Sequence, residues 1–224
     1  MEVVSDIKGK IKRLSTLRLS EKDRKLLEEE DMKHEKEMKA RTLRFKYVEM
    51  NIPRKYREAT FGNYDDGEAP GRSKRIQDAV DCGFGLTLIG EPGRGKTHLA
   101  VAALKFMMNR YDGALPRFMP VTELFVELAD RIKNDYTKES ILSSYTNAPL
   151  LVLDDLGTEK RTDNALETFY LIIDRRYRNQ KTTIITTNLS WAQIEHTYDK
   201  RLASRLAEVT KVLQIDGKDY RFRK

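Results

Sequence analysis

The 224-residue chain has one cysteine, Cys82, one tryptophan, and no apolar run that approaches the length of a bilayer span. One thiol excludes both a disulfide framework and a four-thiolate zinc site. Cys82 therefore reads as a small buried hydrophobe. Without a membrane-length run there is no spanning helix to assign, and the first residues, MEVVSDIKGKIKR, lack the apolar stretch of a secretory signal. The expectation is a cytoplasmic protein with no membrane partner. Internal repeats and low-complexity tracts are also missing. Proline is absent and glycine almost absent between Ser5 and Met50, so nothing there interrupts a helix.

Charge is plentiful. Lys and Arg number 42 against 35 Asp and Glu, a formal net charge of +7, which favours an acidic partner such as nucleic acid. The excess is concentrated early: residues 1–60 hold 17 Lys and Arg against 12 Asp and Glu. The stretch LSEKDRKLLEEEDMKHEKEMKARTLRF mixes both signs at i,i+4 spacing, which predicts exposed helix. Two helices joined near Thr16–Ser20 fit it, with Ser20 and Asp23 spaced as a capping box. MNIPRKYREATFGNYDDGEAPG, Met50 to Gly71, carries the Pro, Gly and Asp clusters of a boundary. The expected organisation is a charged helical extension over residues 1–50 and a compact domain over 51–224.

In the compact part, strands are predicted at Gly85–Ile89, Arg117–Pro120, Leu150–Asp154, Thr182–Thr187 and Val209–Ile215, with helices between them. Alternating strands and helices predict an α/β fold with a five-stranded parallel sheet covered on both faces. GEPGRGKTHLA, Gly90 to Ala100, places glycines, a lysine and a threonine between the first strand and a helix. A Cβ at Gly90 or Gly95 would obstruct phosphates approaching the loop backbone. Lys96 reaches the β/γ-phosphates, Thr97 completes a Mg²⁺ shell, and the helix N-terminus favours the anion. Gly90, Glu91, Pro92, Gly93, Arg94, Gly95, Lys96, Thr97 and His98 form the candidate phosphate loop.

APLLVLDDLG ends an apolar strand in two carboxylates. Alternation along a strand sends Asp154 toward Mg²⁺ and Asp155 toward an attacking water. TTIITTNLS ends in Asn188, whose amide suits either the γ-phosphate, the lytic water or a helix cap. In DKRLASRLAE, Arg201 and Arg205 share a helix face.

Together, GEPGRGKT, LLVLDDLG, TTIITTN and RLASRL resemble the AAA+ P-loop NTPases, and within them the bacterial helicase loaders of the DnaC/DnaI type. NIPRKYREATFGNYD, VTELFVELADRIKNDY and the closing GKDYRFRK strengthen that resemblance, which covers roughly Asn51 to Lys224. It implies an ATPase using ATP and Mg²⁺. Asp154 would be the metal ligand, Asp155 would polarise water, Asn188 would sense the γ-phosphate, and Arg205 would act in trans on a neighbouring subunit's nucleotide. Phe61 and Tyr64 would line the adenine site. The segment from Val121 to about Tyr145 would line a single-stranded DNA path, with Arg131 and Lys133 as phosphate contacts. The implied partners are a replicative DNA helicase, docked by the N-terminal helices, single-stranded DNA, and further copies of the chain. The chain departs from the family in carrying Asp at 155, where many members have Glu, which implies slow turnover. It is also expected to have no full C-terminal lid. A transposition helper ATPase of the IstB type, acting with a transposase on duplex DNA, shares the core motifs. A nucleotide-dependent binding module without catalysis is the reading from a different class.

Overall fold

A computed structural model describes residues 21–220 apart from 68, 109, 112, 113, 135 and 136. The expected joint near Thr16–Ser20 and the Ser20 capping box lie outside the described residues. The chain divides into two compact units, residues 1–46 and 47–224. Helix α1 (Glu21–Glu49), all but its last three residues in the first unit, carries its charges on every side rather than on one stripe. It is exposed along residues 28–44, and Lys39 pairs with Glu35 at 2.6 Å one turn away. Such exposed pairs add little stability individually.

The second unit is built on five parallel strands: β1 (Gly85–Ile89), β2 (Arg117–Pro120), β3 (Leu150–Leu156), β4 (Thr182–Thr187) and β5 (Thr210–Gln214), ordered β2-β3-β4-β1-β5. Strand alternation divides the core in two. Leu86, Leu88, Leu150, Val152 and Ile184 face one side, against helices α2 (Arg72–Asp81) and α3 (Lys96–Met107). Leu151, Leu153 and Ile185 face the other, with α4 (Val121–Lys133), α5 (Lys138–Thr146), α6 (Asp163–Arg178), α7 (Trp191–Thr197) and α8 (Lys200–Val209). Both faces are covered, which is why the central strands read as continuous apolar runs.

Local sequence sets the helix starts. Thr162 caps α6 by accepting from Ala165 N–H, and Asp199 caps α8 by accepting from Leu202 N–H. In α4, Val121, Leu124, Phe125 and Leu128 recur at helical spacing and are all buried. Cys82 corrects an expectation: it is exposed, because it caps the C-terminus of α2 in the solvent-facing turn that precedes β1.

Among the described residues the largest fully buried side chain is Arg176 of α6. Its guanidinium donates to Tyr145 O at 2.7 Å, Ala148 O at 2.8 Å, Thr182 O at 2.6 Å and Thr183 Oγ1 at 3.0 Å. It thereby joins the end of α5 to the starts of β3 and β4, and its fork matches carbonyls that would otherwise be buried without donors. Replacing Arg176 with Met leaves those acceptors unpaired. The expected loss is at least about 3 kcal/mol of unfolding free energy measured in urea, and a change below about 1 kcal/mol would show that the carbonyls find other donors.

Candidate nucleotide site

The carboxyl ends of β1, β4 and β3 lie side by side, and the loop leaving β1 turns directly into α3. Gly93 and Gly95 adopt φ of 81° and 82°, the left-handed region where glycine carries no steric cost. A Cβ on Gly95 would come within 2.6 Å of the Tyr64 ring. The loop carbonyls are held by protein donors. Lys96 Nζ donates to Gly90 O at 2.6 Å and Glu91 O at 2.9 Å, the Tyr220 N–H to Gly93 O at 3.0 Å, and the Tyr64 hydroxyl to Arg94 O at 3.1 Å. Protein donors thus take the carbonyls of the loop, and the N-terminus of α3 turns its positive end to the site, where it favours an anion.

Asp154 is the polar centre of the site. Its Oδ1 accepts from Thr97 Oγ1 at 2.9 Å and from Thr186 Oγ1 at 2.6 Å, which joins β3 to β4 and to the first turn of α3. Burial raises its pKa above the usual carboxylate range, against the hydroxyl hydrogen bonds and Lys96, and the neighbouring Asp155 adds to the rise. Strand alternation does not separate the two acids as expected. The register slips between Leu153 and Leu156, Asp155 has φ 61°, and both carboxylates line one cleft. The bulge re-aims Asp155. The Asp155 N–H donates to Thr186 Oγ1 at 2.9 Å, and Asn188 Nδ2 donates to Asp155 Oδ1 at 3.1 Å. The Asn188 Oδ1 accepts from Lys96 Nζ at 2.7 Å, so this amide bridges cation and carboxylate.

The cleft, of about 950 Å³, gathers Tyr64, Pro92, Gly93, Gly95, Lys96, Thr97, His98, Asp154, Asp155 and Asn188 from the sequence-derived set. Phe61 lies elsewhere: it packs edge-on against Phe106 of α3, ring centroids 6.0 Å apart. Glu91 and Arg94 pair with each other at 2.7 Å on the outside of the loop. Arg205 does not line the cleft of its own chain. It pairs with Asp174 at 3.1 Å and Glu208 at 2.7 Å, with its guanidinium over Tyr177. Arg131 pairs with Glu127 on α4 at 2.7 Å, and Lys133 is exposed at that helix's end. Sequence reasoning missed Lys55, Tyr56, Asn63, Asp65, Thr186 and Tyr220. Thr186 was findable, because it lies two residues before Asn188 and so shares its side of β4.

Among the described residues no group of three or more His, Cys, Asp or Glu gathers to hold a metal. Magnesium does not require one, since it takes one or two protein ligands and completes its shell with water and phosphate oxygens. Thr97 and Asp154, already in contact, fit that donor set.

The sequence profile of the family described as IstB-like ATP binding protein matches residues 11–224. The chain belongs to that family. It is 31% identical over 147 residues to a protein of insertion sequence IS232 from Bacillus thuringiensis subsp. berliner described as ATP-binding, covering 62% of this chain and 56% of that one. It is 27% identical over 118 residues to the replicative helicase loader DnaC of Escherichia coli K12, covering 52% and 47%. The chain thus spans about half the length of these relatives. Its fold matches the crystal structure of the DnaC helicase loader with TM-score 0.64 and 32% identity, over 73% of this chain and all of that one. It is an AAA+ P-loop protein. Among the described residues no helix is long and apolar enough to cross a membrane.

Because the folded chain holds the Asp154 proton more tightly than the unfolded chain does, stability falls as pH rises from the ordinary carboxylate pKa toward the raised native value. Charging this carboxylate is therefore a net cost to the fold. Asp154→Asn keeps an acceptor for Thr97 and Thr186 and removes that charge. The expected result is a melting temperature equal to or above that of the parent, with the Mg²⁺-dependent part of ATP binding lost in calorimetry. A clear fall in melting temperature would contradict this account of Asp154.

Proposed function

We propose that this chain is the ATPase of a replicative helicase loader, and that it uses ATP binding and hydrolysis to assemble on and release from its partners. The observation that carries the catalytic half is the bridge Lys96–Asn188–Asp155 beside the Thr97–Asp154 pair. In this reading Lys96 and the loop N–H groups bind the β/γ-phosphates, and Thr97 and Asp154 hold Mg²⁺, which neutralises phosphate charge. Asp155 accepts a proton from the attacking water. Asn188 contacts the γ-phosphate and reports its presence to Asp155 and Lys96.

Asp155 stands at the bulge with the shorter acidic side chain, which supports slow turnover. Arg205 is anchored away from its own cleft, which supports its use in trans by a neighbouring subunit. Residues 1–50 are assigned to helicase docking and residues 51–224 to the ATPase, with Arg131 and Lys133 as weaker single-stranded DNA contacts. Support for the loader is the 32% identity that extends across the whole solved DnaC chain. The match to the IstB-like family and to the IS232 protein supports a second reading, a transposition helper acting on duplex DNA.

Two experiments test this. The loader reading requires the protein to co-elute with its organism's replicative helicase in ATP, and to lose the complex when it begins at Asn51. No helicase complex, with transposase binding and a preference for duplex over single-stranded DNA, would establish the second reading instead. For the shared site, Arg205→Ala is expected to lower ATP turnover at least about 10³-fold while ATP still binds. Mixing it with Lys96→Ala subunits should restore activity, because each variant supplies what the other lacks. Absence of rescue would rule out Arg205 acting in trans.

A further inference from the structure

The segment Ile215–Tyr220 returns along the edge of the nucleotide cleft and is held at several points. At its start the Ile215 N–H donates to Ile89 O at 2.7 Å, and a Cβ on Gly90 would meet Ile215 O at 2.3 Å. Arg72 Nη1 donates to Asp216 O at 2.6 Å. Gly217, with φ 137°, turns the chain back toward the phosphate loop in a conformation that L side chains rarely adopt. Asp219 then lies so close to Gly93 that a Cβ there would sit 1.9 Å from its Oδ1. The glycine at position 93 is therefore needed for this strap to approach, apart from any demand made by phosphates.

Tyr220 ends the strap inside the cleft. Its N–H donates to Gly93 O at 3.0 Å, its hydroxyl donates to Asp65 O, and its ring lies 6.0 Å from that of Tyr64 at 44°. Tyr64 in turn contacts His98, with centroids 5.5 Å apart, and donates to Arg94 O. Both tyrosines line the cleft beside Lys96 and Thr97. At 6.0 Å the two rings touch each other and leave no slot for a flat ring between them, because a sandwiched base needs about 7 Å, twice a normal contact distance. The pair instead offers one joint aromatic wall to the cleft.

We propose that Tyr220 is a nucleotide-binding residue, its ring forming with Tyr64 the surface against which the base packs, while its backbone fixes the phosphate loop at Gly93. Base site and phosphate site are then joined through one residue. The ligand class is a nucleoside triphosphate, and the polyphosphate alone would bind without using the wall.

The test titrates the full chain with ATP and with inorganic tripolyphosphate by calorimetry. Tyr220→Leu keeps apolar bulk and the backbone bond to Gly93 but removes the aromatic face. It is expected to weaken ATP about tenfold and to leave tripolyphosphate unchanged. Tyr220→Phe retains the ring, and its ATP affinity should stay within about threefold of the parent. Should Tyr220→Leu fail to fold, judged by far-UV circular dichroism, Tyr220→His provides the reduced ring with the same two ligands. Unchanged ATP affinity in the folded variant would overturn the proposal. So would equal weakening of both ligands, which would reduce Tyr220 to a support for the loop. Parent binding of ATP in the same titration separates either failure from a failure of nucleotide binding itself.

Discussion

The Asp154 carboxylate is the interaction on which the site depends. It takes two threonine hydroxyls, one from α3 and one from β4, and so fixes the phosphate loop's helix against the two strands that carry the remaining chemistry. Burial makes that charge unfavourable, and the two hydroxyls offset only part of the cost. The arrangement is suited to a cation, which would supply the missing compensation. Such a site is a place where the fold gives up stability for function.

Sheet order determines which residues can meet. With β1 between β4 and β5, and β4 between β1 and β3, the phosphate loop, Asn188 and the acidic pair emerge from neighbouring strand ends although they lie far apart in sequence. The loop itself is constrained from three sides: by its own lysine, by Tyr64 from the segment before α2, and by Tyr220 from the strap after β5. Together they take four carbonyls of the loop, two of them through Lys96.

The region beyond the acids is tied to the start of α8 by the buried carboxylate of Glu159. Glu159 accepts from the Gly157 N–H at 2.9 Å and from the Tyr198 hydroxyl, just ahead of the Asp199 cap of α8. On α8, Arg205 is held by Glu208 and by Asp174 of α6, which ties the helix bearing Arg205 to α6.

The sequence by itself determined the strand set, the parallel α/β architecture and the phosphate loop. Those features depend on local periodicity and on glycines whose backbone role is visible in a short window. Strands Gly85–Ile89, Arg117–Pro120 and Thr182–Thr187 fell where apolar runs placed them. Only the tertiary structure decided how the two acids point, because a bulge held by Thr186 overrides strand alternation at Asp155. It also moved Phe61 out of the cleft and brought Tyr220 in. An aromatic residue's neighbours depend on contacts between distant segments, and no window around residues 61 or 220 contains the partners that decide them.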